Sequence, residues 1–192
     1  MKRLPIVAAI LAFCAIATMT SLGFWQLRRA EWKEGLIVQY AAAQGLPPMA
    51  FPATPDAKAL PLYRKASGHC LEVTEWSAIG RRNVHGESGW SHLARCRTGA
   101  EGPGLVVDAG WSRAPANPDW RGGTVSGLIG SDPKALIRLV SVKPLASGLV
   151  ASAPPSIADV PNNHRGYAFQ WFSFAAIAAV IFALAAWRRM RG

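Results

Sequence analysis

Two long apolar runs enclose a segment in which apolar and polar positions alternate. From Leu4 to Leu27 the polar exceptions are Thr18, Thr20, Ser21 and Gln26, and from Tyr167 to Trp187 they are Gln170 and Ser173. A helix rises 1.5 Å per residue, so about 20 residues cross a bilayer core of about 30 Å. Both runs therefore predict transmembrane helices, over 4–27 and 167–187. A cleaved signal peptide is the competing reading of the first, with Ala15-Ile16-Ala17 as a cleavage site; the apolar run continues past it to Leu27, which favours a retained anchor. A helical exit and a Pro-rich linker follow over 28–62, a connector covers 146–166, and a basic tail occupies 188–192.

Between the linker and the connector, short runs rich in β-branched and aromatic residues span 63–71, 73–81, 90–97, 105–112, 124–130 and 136–142, with glycines between them. Short strands at even spacing with Gly turns predict an antiparallel β-rich domain, curled or barrel-like, over 63–145. The expected fold is a membrane protein whose two transmembrane α-helices flank this extramembrane domain.

Charge sharpens the topology. The net charge is +10, and all eleven acidic residues lie between Arg28 and Arg165. Lys2, Arg3, Arg188, Arg189 and Arg191 sit at the two tips, flanking the membrane, so nucleic acid is not the natural partner. The C-terminal arginines favour cytoplasmic termini, because long loops cross a membrane largely regardless of their charge.

Catalytic motifs are scarce. Gly86-Glu-Ser-Gly89 lacks the spacing of a nucleophile elbow, and no C-x-x-C, P-loop or HExxH occurs. No enzyme activity and no metal site are predicted. Cys70 and Cys96 fit a disulfide in an oxidising compartment, two buried free thiols, or, with His69 and His92, a soft metal set. Cys14 reads as an apolar helix residue.

The polar-to-apolar transition at Val160–Ala176 carries the most chemistry. Pro161, Asn162 and Asn163 read as a turn and helix cap. On the helix that follows, His164, Tyr167, Ala168 and Trp171 share a face by spacing. Anchoring accounts for the aromatics at an interface; a ligand or partner site is the alternative. Trp25, Gln26, Arg28, Arg29 and Trp32 recur at the exit of the first helix, and Ala175, Ala179 and Ala183 offer the second a smooth packing side.

Three stretches together resemble the Surfeit locus protein 1 family. They are Leu22–Ile37, with Gly23, Trp25, Gln26 and Arg28; Val106–Pro115, with Gly110-Trp111; and Asn162–Phe172, with Asn163, His164, Tyr167 and Trp171. The middle stretch departs from the family at Asp108, where an asparagine is common, and at Ala109, where an arginine often stands. The resemblance implies an assembly factor for cytochrome c oxidase, a haem–copper oxidase of the respiratory chain. It implies a two-pass protein with cytoplasmic termini and a periplasmic domain, and partners among oxidase subunit I and other assembly factors. It further implies a chaperone role in maturing subunit I by delivering haem a, with His164 as the candidate ligand and Tyr167, Trp171, Trp25 and Gln26 around it. The competing reading is a membrane-tethered β-domain that scaffolds oxidase subunits without binding haem. A chain that opens directly with a span is expected to come from a bacterial inner membrane.

Overall fold

The computed structural model describes residues 6–99 and 104–191; Lys2 and Arg3 lie outside them. The chain forms two compact units, one from residues 1–37 and 161–192, the other from 38–160.

The first unit holds most of helix α1 (Ile6–Gln44) and all of α2 (His164–Arg191). Both are long and apolar enough to cross a membrane. At 1.5 Å per residue α1 is about 58 Å long, far more than a bilayer core requires. It continues to Gln44, well into the stretch expected as helical exit and linker over 28–62, because Ala41, Ala42 and Ala43 are strong helix formers. Gly45 closes it by donating its N–H to the Ala42 carbonyl, ahead of Pro47-Pro48.

The second unit is a seven-stranded sheet of β1 (Met49–Ala50), β2 (Lys65–Cys70), β3 (Glu72–Arg82), β4 (Ser88–Arg97), β5 (Leu105–Ser112), β6 (Gly123–Asp132) and β7 (Leu136–Ser141). Its order is β1-β2-β6-β7-β5-β4-β3. Two expectations are corrected here. The sheet is mixed rather than antiparallel, since β1 pairs parallel to β2 and β5 parallel to β7. It is also open rather than a closed barrel, with β1 and β3 as its edges. Gly-rich turns predict hairpin neighbours, and β3–β4, β4–β5 and β6–β7 obey. The 113–122 segment breaks the series: it lets β6 step past the place that β7 then fills beside β5.

Although open, the sheet bends. Strands β2 and β3 are separated by Leu71 alone, yet occupy the second and last places in the order. On a flat sheet five strand spacings would hold them about 24 Å apart. The corner is tied by the Leu71 N–H donating to the Arg97 carbonyl at 2.9 Å. A disulfide between Cys70 and Cys96, with α-carbons 5.2 Å apart, ties it covalently.

One face of the sheet carries the apolar core, with Ala94, Leu105, Val107, Val125, Ile129, Ile137 and Leu139 buried. Part of the other face is covered by the connector, which forms bridges from Val150 to Trp111 and from Ser152 to Asn83. Gly110 permits this cover. Its φ is +137°, and a Cβ there would meet the Val150 carbonyl oxygen at 3.0 Å.

Candidate functional site

The helix pair is built on small residues. Along α1 the more shielded positions include Ile16, Met19, Gly23, Gln26, Ala30 and Lys33, in alternating steps of three and four. That is the spacing of a helix–helix seam. A Cβ added at Gly23 would lie 2.6 Å from Phe172, so the backbone of α1 and that ring meet directly. Phe24 packs edge-on against the same ring, at 5.2 Å between centroids. Gly23 meets Phe172 and Gln26 meets His164, so α2 descends as α1 ascends and the two helices run antiparallel. On α2 the shielded residues include His164, Ala168, Trp171, Phe172, Ala175, Ala179 and Phe182. Ala183, expected on the packing side, is exposed; the seam passes through Phe182 instead.

A hydrogen-bonded polar pair lies in this seam. His164 Nδ1 lies 2.7 Å from Gln26 Oε1. An amide oxygen only accepts, so Nδ1 carries the hydrogen and donates, and the lone pair of the ring rests on Nε2. Beside it Arg165 grips Glu34 with two bonds, of 2.9 and 3.0 Å. Asn163 sets where the helix starts: its carbonyl accepts from the Tyr167 N–H at 3.1 Å, which makes His164 the first helical residue. Asn162, just before, has its side-chain Oδ1 buried without a hydrogen-bond partner among the described residues.

The other candidates of this unit do not converge on that pair. Tyr167 is half exposed, and Trp25, although next to Gln26 in sequence, is 56% exposed. Trp171 is part-buried and stacks edge-on with Phe174. Arg28 is exposed; Arg29 lies over the Trp32 ring, 3.8 Å from its centroid. The structure thus joins His164 to Gln26 and leaves Tyr167 and Trp25 on outer surfaces of the helices.

In the sheet unit, Trp111 is buried and its indole N–H donates to the Arg81 carbonyl at 3.1 Å, a packing role. The bridged sulfurs of Cys70 and Cys96 are no longer thiolate ligands, which removes the metal reading. His69 Nδ1 instead meets Thr124 Oγ1 at 3.0 Å. His92 is fully buried. Its Nε2 donates to Ser112 Oγ at 2.8 Å, because that hydroxyl donates onward to the Ala114 carbonyl. Nδ1 is left buried without a partner among the described residues, and burial holds the imidazole pKa below its ordinary value.

Sequence reasoning missed the polar centre of this unit. Asp108 and Arg138 are 2% and 3% exposed, with Arg138 Nε 3.9 Å from the carboxylate. Ser152 donates to Asp108 Oδ1 at 2.6 Å, and Ser91 in turn donates to Ser152 at 2.9 Å. The Gly110 N–H adds a 3.3 Å bond to the same oxygen. Burial pushes the Asp108 pKa up, while the Ser152 bond, Arg138 and Gly110 pull it down. Arg138 also meets Asp132 at 3.8 Å and donates to the Ser131 carbonyl. A carboxylate inside the apolar run Val106-Val-Asp-Ala-Gly-Trp111 was the available signal, since such a charge persists in a core only when paired. The network fastens the connector to the sheet through Ser152 and Asp108.

The family model of the SURF1 family matches residues 13–176, most of the chain and all three of the quoted stretches. A comparison with curated protein sequences finds no significant match.

Proposed function

The chain belongs to the SURF1 family, the Surfeit locus protein 1 family of cytochrome c oxidase assembly factors, and from that premise we propose that it aids maturation of oxidase subunit I by holding haem a at His164 before transfer. Haem a is cargo in this reading. The bond between His164 and Gln26 supports it. Metal-ligating histidines usually donate their second ring nitrogen to a neighbouring oxygen, which fixes the tautomer and aims the ligating nitrogen. Gln26 supplies that oxygen, and His164 Nε2 would hold the haem iron. Trp171 and the exposed Tyr167 ring supply apolar surface near the same helix end.

The two apolar helices cross the membrane in this reading, with the termini in the cytoplasm and the sheet unit in the periplasm, where a disulfide persists. A periplasm-active reporter inserted near Asp119 is active and one after Gly192 is silent. The reverse pattern overturns the orientation.

The decisive measurement is an absorption spectrum of the protein purified from a host that makes haem a. The wild type carries haem. His164→Ala loses it or shifts its spectrum with unchanged circular dichroism, whereas His69→Ala and His85→Ala retain it. An unaltered haem spectrum in His164→Ala refutes the ligand role. The second reading, scaffolding without haem, draws on the same bond: a hydrogen-bonded polar pair in an apolar seam fixes helix register by itself. It predicts a colourless wild type and an oxidase defect in His164→Ala arising from a loosened helix pair.

A further inference from the structure

A cleft of about 390 Å³ in the sheet unit is lined by Ser77, Ala78, Ile79, Gly80 and Arg81 of β3. Leu93 and Val106 also line it, and Lys134 stands in its wall. Side chains alternate along a strand, so a cleft confined to one face would meet every second residue. Consecutive residues of β3 line it together with Leu93 and Arg95 of β4 and Val106 of β5, so the cleft crosses the sheet face and extends to the edge strand β3.

That edge is open. Strand β3 is the last in the order and pairs with β4 alone. Its ends are occupied: the Val73 N–H donates to the Arg121 carbonyl, and the Arg81 and Arg82 carbonyls accept from Trp111 Nε1 and the Ala153 N–H. From Glu75 to Gly80, among the described residues, no backbone bond reaches the strand from any segment other than β4. Every second residue of such a stretch turns its N–H and C=O outward. A Cβ on Gly80 would meet nothing within 4 Å, so the sheet face over the strand is open there as well.

Charge selects the occupant. Glu75 pairs with Arg95 at 3.4 Å. Asp132, in the wall, is committed to Arg138 and to the N–H groups of Lys134 and Ala135. Arg81 and Lys134 are both exposed and form no ion pair among the described residues. The uncommitted charges on the rim are thus both positive.

We propose that the edge of β3 from Glu75 to Gly80 docks an extended acidic segment of a partner polypeptide, which adds as a further strand and sets its carboxylates against Arg81 and Lys134. Backbone pairing supplies affinity in such an arrangement and the flanking groups supply selectivity. The charges along β3 also deter indiscriminate pairing of the edge. The inference is independent of haem: it concerns the sheet unit and holds whether or not His164 is a ligand.

The test uses the full-length protein in detergent and a synthetic nine-residue peptide alternating valine and glutamate, with a valine–lysine peptide as control. The acidic peptide binds and slows amide hydrogen exchange within 75–80, and the basic one does not bind. Reversing both cations, Arg81→Glu with Lys134→Glu, weakens binding about tenfold, the effect of two partly exposed charge contacts. Both residues are exposed, and circular dichroism checks that the variant is folded. No binding of the acidic peptide, binding without slowed exchange in β3, or equal binding of the basic peptide each overturns the proposal. Complete displacement by free glutarate at equal concentration also overturns it, in favour of a small-anion site.

Discussion

Gln26 and His164 meet across the helix seam at 2.7 Å, and the amide oxygen dictates which imidazole nitrogen keeps its lone pair. The pair therefore governs both the register of two helices and the tautomer of the candidate ligand. Gln26→Ala frees the ring. Loss of such a supporting partner typically weakens metal binding about 10–100-fold, so haem retention falls by about that factor while His164 is intact. Titrating haem a into the purified variant checks this. Unchanged retention would mean that the bond serves register alone.

Gly23 tests the seam without touching the polar pair. A side chain there collides with Phe172. Gly23→Val therefore destabilises the helix pair by about 1–3 kcal/mol, the range for overpacking a close contact. Phe172→Ala in the same chain restores much of the loss, because it vacates the space. Thermal unfolding in detergent of the two single variants and the double variant measures the coupling. Equal stability of Gly23→Val and wild type would show that the helices separate without consequence.

The Cys70–Cys96 bridge closes a loop across 26 residues of separation. Replacing both cysteines by serine lowers stability of the sheet unit by about 3.5 kcal/mol, the chain-entropy expectation for a loop of this size. A strong reductant reproduces the loss in the wild type and leaves the double variant unchanged. Two readily alkylated thiols in the native, unreduced protein would refute the bridge.

His92 gives the sheet unit an acid sensitivity. Burial holds its folded pKa below the unfolded value of about 6.5. Between the two values the unfolded chain binds more protons, so stability falls as pH falls. The contribution is fully present above about pH 6.5 and is lost as pH drops through the folded value. His92→Gln keeps a donor toward Ser112 and cannot titrate, so its urea midpoint depends less on pH between 5 and 7 than that of the wild type. Parallel pH dependences in the two proteins would assign the sensitivity to other groups.

Hydropathy displayed both helices, and alternation with Gly turns displayed the six longer strands to within two residues at most of their ends. These signals are local. Pairing is not: β7 lies between β6 and β5, and nothing in its own sequence says so. Asp108, Arg138 and Ser152 looked scattered because the fold, and not spacing along the chain, brings them together. His164 stood out by its position at a helix start. Its partner Gln26 was placed near it in the sequence reading, but the bond depends on the packing of α1 against α2, which Gly23 and Phe172 set.

The helix unit is made from the two ends of the chain, with the sheet unit between them. This imposes an order on biosynthesis. Chains emerge N-terminus first, and domains generally fold as units while synthesis proceeds. The sheet unit is complete at Val160, before any of α2 has been made. During that interval α1 has no helix partner of its own and Gln26 has no imidazole to meet. The haem-holding reading therefore makes competence wait for α2: a ribosome-released fragment ending before His164 keeps a folded sheet and its docking edge, and carries no cargo.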